Sequence, residues 1–91
     1  MFNTASAILE NEVGLHARPS VKLTQTAKLY SATVELALQP EGPWIDAKSP
    51  VKVMRVKAPK GAVLHFRTKG SDAETALNAL LGLVAVKFGE D

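Results

Sequence analysis

The chain has 91 residues, 46% of them hydrophobic and 22% charged, with no cysteine and a formal net charge of +2. That length gives room for one small core, and that composition is too apolar for a disordered chain. The missing cysteine excludes disulfides, thiolate metal sites and a cysteine nucleophile. The sequence pI near 9.1 follows from a slight basic excess, because few groups titrate between histidine and lysine. It is therefore weak evidence for a nucleic-acid partner. No apolar run reaches the ~18 residues of a membrane span. The opening Met1-Phe2-Asn3-Thr4-Ala5-Ser6 lacks the basic and apolar regions of a signal peptide. A cytoplasmic location is expected. The Met1 start and the Glu90-Asp91 end suit a free-standing protein, read as a single domain over 1–91.

The run Phe2 to Leu9 alternates loosely and reads as a strand. Glu10 to Gly14 is a polar turn. His16-Ala17-Arg18-Pro19 leads into a helical pattern through Lys28, with Ser20, Leu23, Thr24, Ala27 and Tyr30 as its inward stripe. Pro19 suits a first helical turn, where a missing N–H costs nothing. Thr33 to Gln39 has period two, with Val34, Leu36 and Leu38 on one face. Pro40 to Pro43 is a turn, and Trp44 to Asp46 a short returning strand. Ser49 is a good N-cap and Pro50 a good first residue for a short helix ending near Val56. Pro59 and Gly61 then break the chain. Ala62 to Thr68 is a further strand, with Ala62, Leu64 and Phe66 sharing a face. Ser71-Asp72 cap the longest helix, expected to reach Lys87. Its Ala73, Ala76, Leu77, Leu80, Leu81 and Val84 repeat at helical spacing.

The order is βαββαβα. Half-apolar strands and amphipathic helices imply an α+β fold, a two-layer open-faced sandwich. A four-stranded antiparallel sheet is expected, with three helices on one face.

The sharpest chemical feature is His16 at a helix entrance. A helix N-terminus presents unpaired N–H groups and partial positive charge, a ready anion site. That field disfavours an imidazolium, favours the nucleophilic neutral ring, and favours a dianion attached to it. Arg18, two residues on, adds a permanent planar cation. The predicted chemistry is acceptance of a phosphoryl group by imidazole and its onward transfer. The bland alternative is a polar residue at a loop end. No Asp, Cys or second His lies close in sequence, so no metal site is expected, and no cofactor.

Gly14-Leu15-His16-Ala17-Arg18-Pro19-Ser20 resembles the active-site signature of the HPr family, histidine-containing phosphocarriers of the bacterial phosphotransferase system. The resemblance extends to Met1-Phe2, to Lys48-Ser49 before the short helix, to Lys60-Gly61-Ala62-Val63, and to the terminal helix. It implies that His16 carries the phosphoryl group on Nδ1 and that Arg18 assists transfer. It implies that the backbone N–H groups of Ala17 and Arg18 bind the phosphoryl oxygens, while Pro19 shapes the helix start. It implies enzyme I, charged from phosphoenolpyruvate, as donor and IIA domains of sugar transporters as acceptors. A phosphocarrier of this kind is a transfer intermediate and not an autonomous enzyme, and a monomer is expected.

Ser49 read from its residues alone is an N-cap. The resemblance adds regulatory phosphorylation by HPr kinase/phosphorylase. This chain departs from the usual pattern there, with Pro50 after the serine and Lys52 where many regulated members have glycine.

Helical geometry places Val53 and Val56 of the short helix inward and Val51, Met54 and Arg55 outward. Ala17, Val21 and Lys28 share the outer face of the first helix. Exposed Val21, Val51 and Met54 would then form an apolar docking patch ringed by Arg18, Lys22, Lys52 and Arg55. From Lys48 to Lys69 there are seven basic residues and no acidic one, which would steer an acidic partner. Single exposed apolar residues and a solvated basic face are the plain alternatives.

His65 alternates against Leu64 and Phe66 and should lie on the sheet face away from the helices. Trp44 reads as a packing or loop residue. A regulatory module of the nitrogen-related HPr type remains open beside the sugar-type carrier. A nucleic-acid-binding domain would need paired aromatics on the sheet face. The predicted strands show no such pair, so neither nucleic acid nor membrane is an expected partner.

Overall fold

In the computed structural model residues 1–89 are described; the Glu90-Asp91 end read above lies outside the described residues. The alternating runs form β1 (Asn3–Ile8), β2 (Thr33–Ala37), β3 (Ile45–Asp46) and β4 (Val63–Lys69). The helical patterns form α1 (Ala17–Lys28), α2 (Pro50–Val56) and α3 (Ala73–Ala85). The strands make one antiparallel sheet in the order β1-β4-β2-β3. Phe66 at its centre pairs with Ala5 on one side and Leu36 on the other.

Period two sorts each strand by face. Leu64, Phe66 and Thr68 of β4 are buried under the helices, while Val63, His65, Arg67 and Lys69 alternate outward. Val34 and Leu36 face the same core. Leu23 and Ala27 of α1, Val53 of α2, and Leu80 and Val84 of α3 close it from above. The stripe expected on α1 is buried at Ser20, Leu23, Thr24 and Ala27.

Several details differ from expectation. Leu38 lies beyond β2 and is exposed, because pairing ends at Ala37. Tyr30 lies past the end of α1 and only half-packs against the core. α3 ends at Ala85 and not at Lys87. Lys87 and Phe88 turn into the left-handed region (φ 55 and 57), which an L-residue helix cannot continue. The reversal returns the Phe88 ring to the core, 1% exposed. Asp72 holds the N-cap position of α3 but makes no side-chain bond to that helix. Its carboxylate instead accepts from the backbone N–H groups of Ser31 (2.9 Å) and Ala32 (2.8 Å), tying the start of α3 to the α1–β2 turn.

Among the described residues no helix is long and apolar enough to cross a membrane.

Candidate phosphoryl-acceptor site

The loop before α1 is folded by its own backbone groups. Asn11, read above as part of a polar turn, is fully buried. Its side-chain amide donates to the Gly14 carbonyl at 2.7 Å, and the Gly14 N–H donates back to the Asn11 carbonyl at 3.1 Å. Gly14 has φ +65, and a Cβ there would sit 2.5 Å from the Ala58 carbonyl oxygen. Only glycine meets both conditions without displacement. Leu15 then donates its N–H to that same Ala58 oxygen at 2.8 Å and buries its side chain, 2% exposed. The Ser20 hydroxyl donates to the Leu15 carbonyl at 3.3 Å.

These contacts fix the chain immediately before His16. His16 takes the N-cap position of α1 with an extended backbone (φ −82, ψ −171), and its carbonyl accepts the first helical bond, from Ser20 N–H at 2.9 Å. Its side chain makes no capping bond and is exposed. The imidazole is thus presented to solvent at the positive end of a twelve-residue helix. In helical geometry the N–H groups of Ala17 and Arg18 have no intrahelical acceptor, and Pro19 contributes no N–H. Those two N–H groups and the exposed Arg18 follow His16 directly at this helix end. No acidic residue stands in the first turn of α1 to oppose an anion on the ring.

Glu12, Val13, Leu15, His16, Ala17, Met54 and the segment from Lys57 to Lys60 line a cleft of about 570 Å³. Lys60 Nζ meets Glu12 Oε1 at 2.9 Å. That bond and the lysine charge hold the Glu12 carboxyl below its ordinary value. Both side chains are well exposed, so the pair adds little to stability.

The expected docking residues divide. Val21, Val51 and Met54 are exposed, as are Lys28, Lys52 and Arg55. Met54 and Ala17 share the His16 cleft, and Ala17, Arg18 and Val21 line an adjoining groove along α1. Lys22 differs. It is half-buried and its ammonium donates to the Phe88 carbonyl at 2.7 Å, clasping the C-terminal turn. Ser49 caps α2 as expected, its hydroxyl accepting from Lys52 N–H at 3.3 Å.

The opposite sheet face holds an aromatic pair that strand alternation did not reveal. The Arg67 guanidinium carbon lies 4.2 Å from the Phe2 ring centroid and 4.4 Å from that of Trp44. Its Nε donates to Glu35 Oε1 at 2.6 Å. Phe2 and Trp44 sit just outside β1 and β3, so the pairing needs the register to be seen. The guanidinium lies over both rings, and the half-buried Trp44 packs against it. His65 is half-buried on this face, paired with Ser6 and Ala37.

Asn11 and Ala58 are the site residues that motif reading missed. A buried asparagine three residues before a left-handed glycine is a loop clip, but nothing in the sequence separates it from a solvated turn residue.

Comparison with known proteins bears on this geometry. A family model described as PTS HPr component phosphorylation site matches residues 4–85. Phosphocarrier protein HPr of Cupriavidus necator is 42% identical over 80 residues, covering 88% of each chain. A Multiphosphoryl transfer protein of Escherichia coli O157:H7 is 35% identical over 88 residues, which are 96% of this chain and 23% of that longer one. The crystal structure of HPr-C-His from Thermoanaerobacter tengcongensis superposes with a TM-score of 0.89 at 31% identity, over 98% of both chains.

Proposed function

The chain belongs to the HPr family of the phosphotransferase system and is a phosphocarrier, not an enzyme in its own right; on that premise we propose that His16 is the residue that accepts and passes on the phosphoryl group. The observation that carries the reading is the exposed imidazole at the N-cap of α1, on a backbone pinned by Asn11, Gly14 and Leu15. The neutral ring attacks phosphorus through Nδ1. The new N–P bond forms as the bond from phosphorus to the donor breaks, its electron pair leaving with the donor. The ring proton stays on Nε2. Ala17 and Arg18 N–H groups and the Arg18 guanidinium take up the negative charge on the equatorial oxygens. Onward transfer runs the same exchange with an acceptor nucleophile. A fixed backbone suits this role, because phosphoryl transfer asks chiefly for position and charge stabilisation.

The family works with partners of the phosphotransferase system. Enzyme I, charged from phosphoenolpyruvate, is the donor in this reading, and IIA domains are the acceptors. Both dock in turn on Val21, Val51 and Met54, with Arg18, Lys52 and Arg55 around them. An apolar centre with a basic rim fits partners whose own sites are acidic at the edge. The protein acts in the cytoplasm as a monomer. Ser49 is a second, regulatory acceptor served by HPr kinase/phosphorylase: a phosphate there would stand at the N-terminal end of α2.

Incubation with phosphoenolpyruvate and enzyme I tests the reading. Wild type gains one acid-labile phosphoryl group; His16→Ala gains none and keeps its unfolding midpoint. Arg18→Ala is loaded ~10-fold or more slowly at unchanged stability, since its side chain is exposed. Equal loading of wild type and His16→Ala would refute it.

A further inference from the structure

We infer that Lys57 is a phosphoryl-stabilising residue of the His16 site, supplying to the cleft a cation that the Gly-Leu-His-x-Arg-Pro motif does not contain. The inference rests on His16 being the phosphoryl acceptor. Lys57 ends α2 in the left-handed conformation, φ 53 and ψ 39, with its N–H donating to the Met54 carbonyl. That position ordinarily goes to glycine, which adopts it without steric cost. A lysine there keeps a strained backbone, and strained backbone collects at functional sites.

Two observations give the lysine a use. It lines the same cleft as His16 and Met54. The next residue, Ala58, accepts the Leu15 N–H at 2.8 Å, so the end of α2 and the His16 loop share one backbone anchor. The backbone at Lys57 is thereby tied to the loop that carries His16. The cleft has a second lysine, Lys60, whose charge is already met by Glu12 at 2.9 Å. Lys57 has no carboxylate partner among the described residues. Of the two lysines, Lys57 is the one whose charge meets no acid among the described residues when a dianion arrives on His16. During transfer the Lys57 ammonium keeps its protons and forms no covalent bond. It contributes by charge, and more strongly to phosphorylated than to unphosphorylated His16.

The plain alternative is that Lys57 only complements the carbonyl end of α2. Variants separate the two. Lys57→Gln removes the charge, Lys57→Arg keeps it, and Lys57→Gly removes it while relaxing the backbone. Each would be equilibrated with phospho-enzyme I at low and high salt, and the pH titration of the phosphoryl group followed by phosphorus NMR. The expected result is a loading equilibrium lowered roughly three- to tenfold in Lys57→Gln and Lys57→Gly, and near wild type in Lys57→Arg, with the difference shrinking in high salt. Protonation of the phosphoryl group moves to higher pH in the first two. Lys57→Gly unfolds at no lower urea concentration than wild type, so its loss cannot be a folding defect. Wild-type loading and titration in Lys57→Gln and Lys57→Gly would overturn the inference. So would an equal loss in Lys57→Arg. In those cases His16 still takes the phosphoryl group and the function above stands; a wild type that gains none would overturn both.

Discussion

The Leu15 N–H meets the Ala58 carbonyl at 2.8 Å, and that one bond joins the loop carrying His16 to the end of α2. The two segments are far apart in sequence, yet the imidazole depends on both. Gly14 makes the approach feasible: a Cβ at that position would lie 2.5 Å from the Ala58 oxygen, 3.0 Å from two Pro59 atoms, and on a backbone with φ +65.

Gly14→Ala is therefore expected to cost at least ~2 kcal/mol, from the left-handed backbone and the displaced 58–59 segment together. Urea unfolding gives the stability loss, and phosphoryl loading should slow as well because His16 shifts with the loop. A variant as stable and as active as wild type would show that the close approach is not required.

Asp72 gives a pH dependence of definite sign. Its carboxyl is held below its ordinary value of 3.8, first by the Ser31 N–H and then by the Ala32 N–H and the Ser31 hydroxyl, against desolvation acting the other way. A carboxyl lowered in the folded state stabilises above its unfolded value, and the contribution is lost as pH falls through the folded value. Asp72→Asn should thus be less stable than wild type at neutral pH, and the gap should close as pH falls below 3.8. Urea midpoints across the acid range check this; a constant gap would contradict it.

The Arg67–Glu35 pair on the open face is short, 2.6 Å, and about three-quarters buried on both sides. Lying over both the Phe2 and Trp44 rings, the guanidinium is largely desolvated. Arg67→Met is expected to cost about 1–3 kcal/mol, chiefly by leaving the mostly buried Glu35 without its donor. In a double-mutant cycle with Glu35→Gln, the coupling should be about 1 kcal/mol. Trp44 fluorescence reports the same site, since the charge over its ring is removed. A coupling near zero would place this pair with ordinary surface ion pairs.

Much of this architecture is legible in the chain. The alternation of Val34 and Leu36, the helical spacing from Ala73 to Val84, and the Ser49-Pro50 start of α2 each state their element locally. So does the His16 signature, because a helix entrance with histidine, arginine and proline is a contiguous feature. What the sequence hides is whatever two distant segments make together. Asn11 looks like a turn residue until the loop closes over it. Lys22 looks like a free surface cation until Phe88 turns back toward it. Asp72 looks like the cap of α3, but the nearest unsatisfied donors belong to Ser31 and Ala32. Phe2 and Trp44 are 42 positions apart and meet only across Arg67. The early end of α3 is of the same kind, since burial of Phe88 outweighs continued helix.

Proton–nitrogen–phosphorus NMR of the enzyme I-loaded protein tests the central claim most directly. The account predicts phosphorus coupling to Nδ1 of His16, with the Ala17 and Arg18 amide protons moving strongly downfield as they bond the phosphoryl oxygens. A phosphoryl group found on His65, or on His16 with those two amides unmoved, would contradict it.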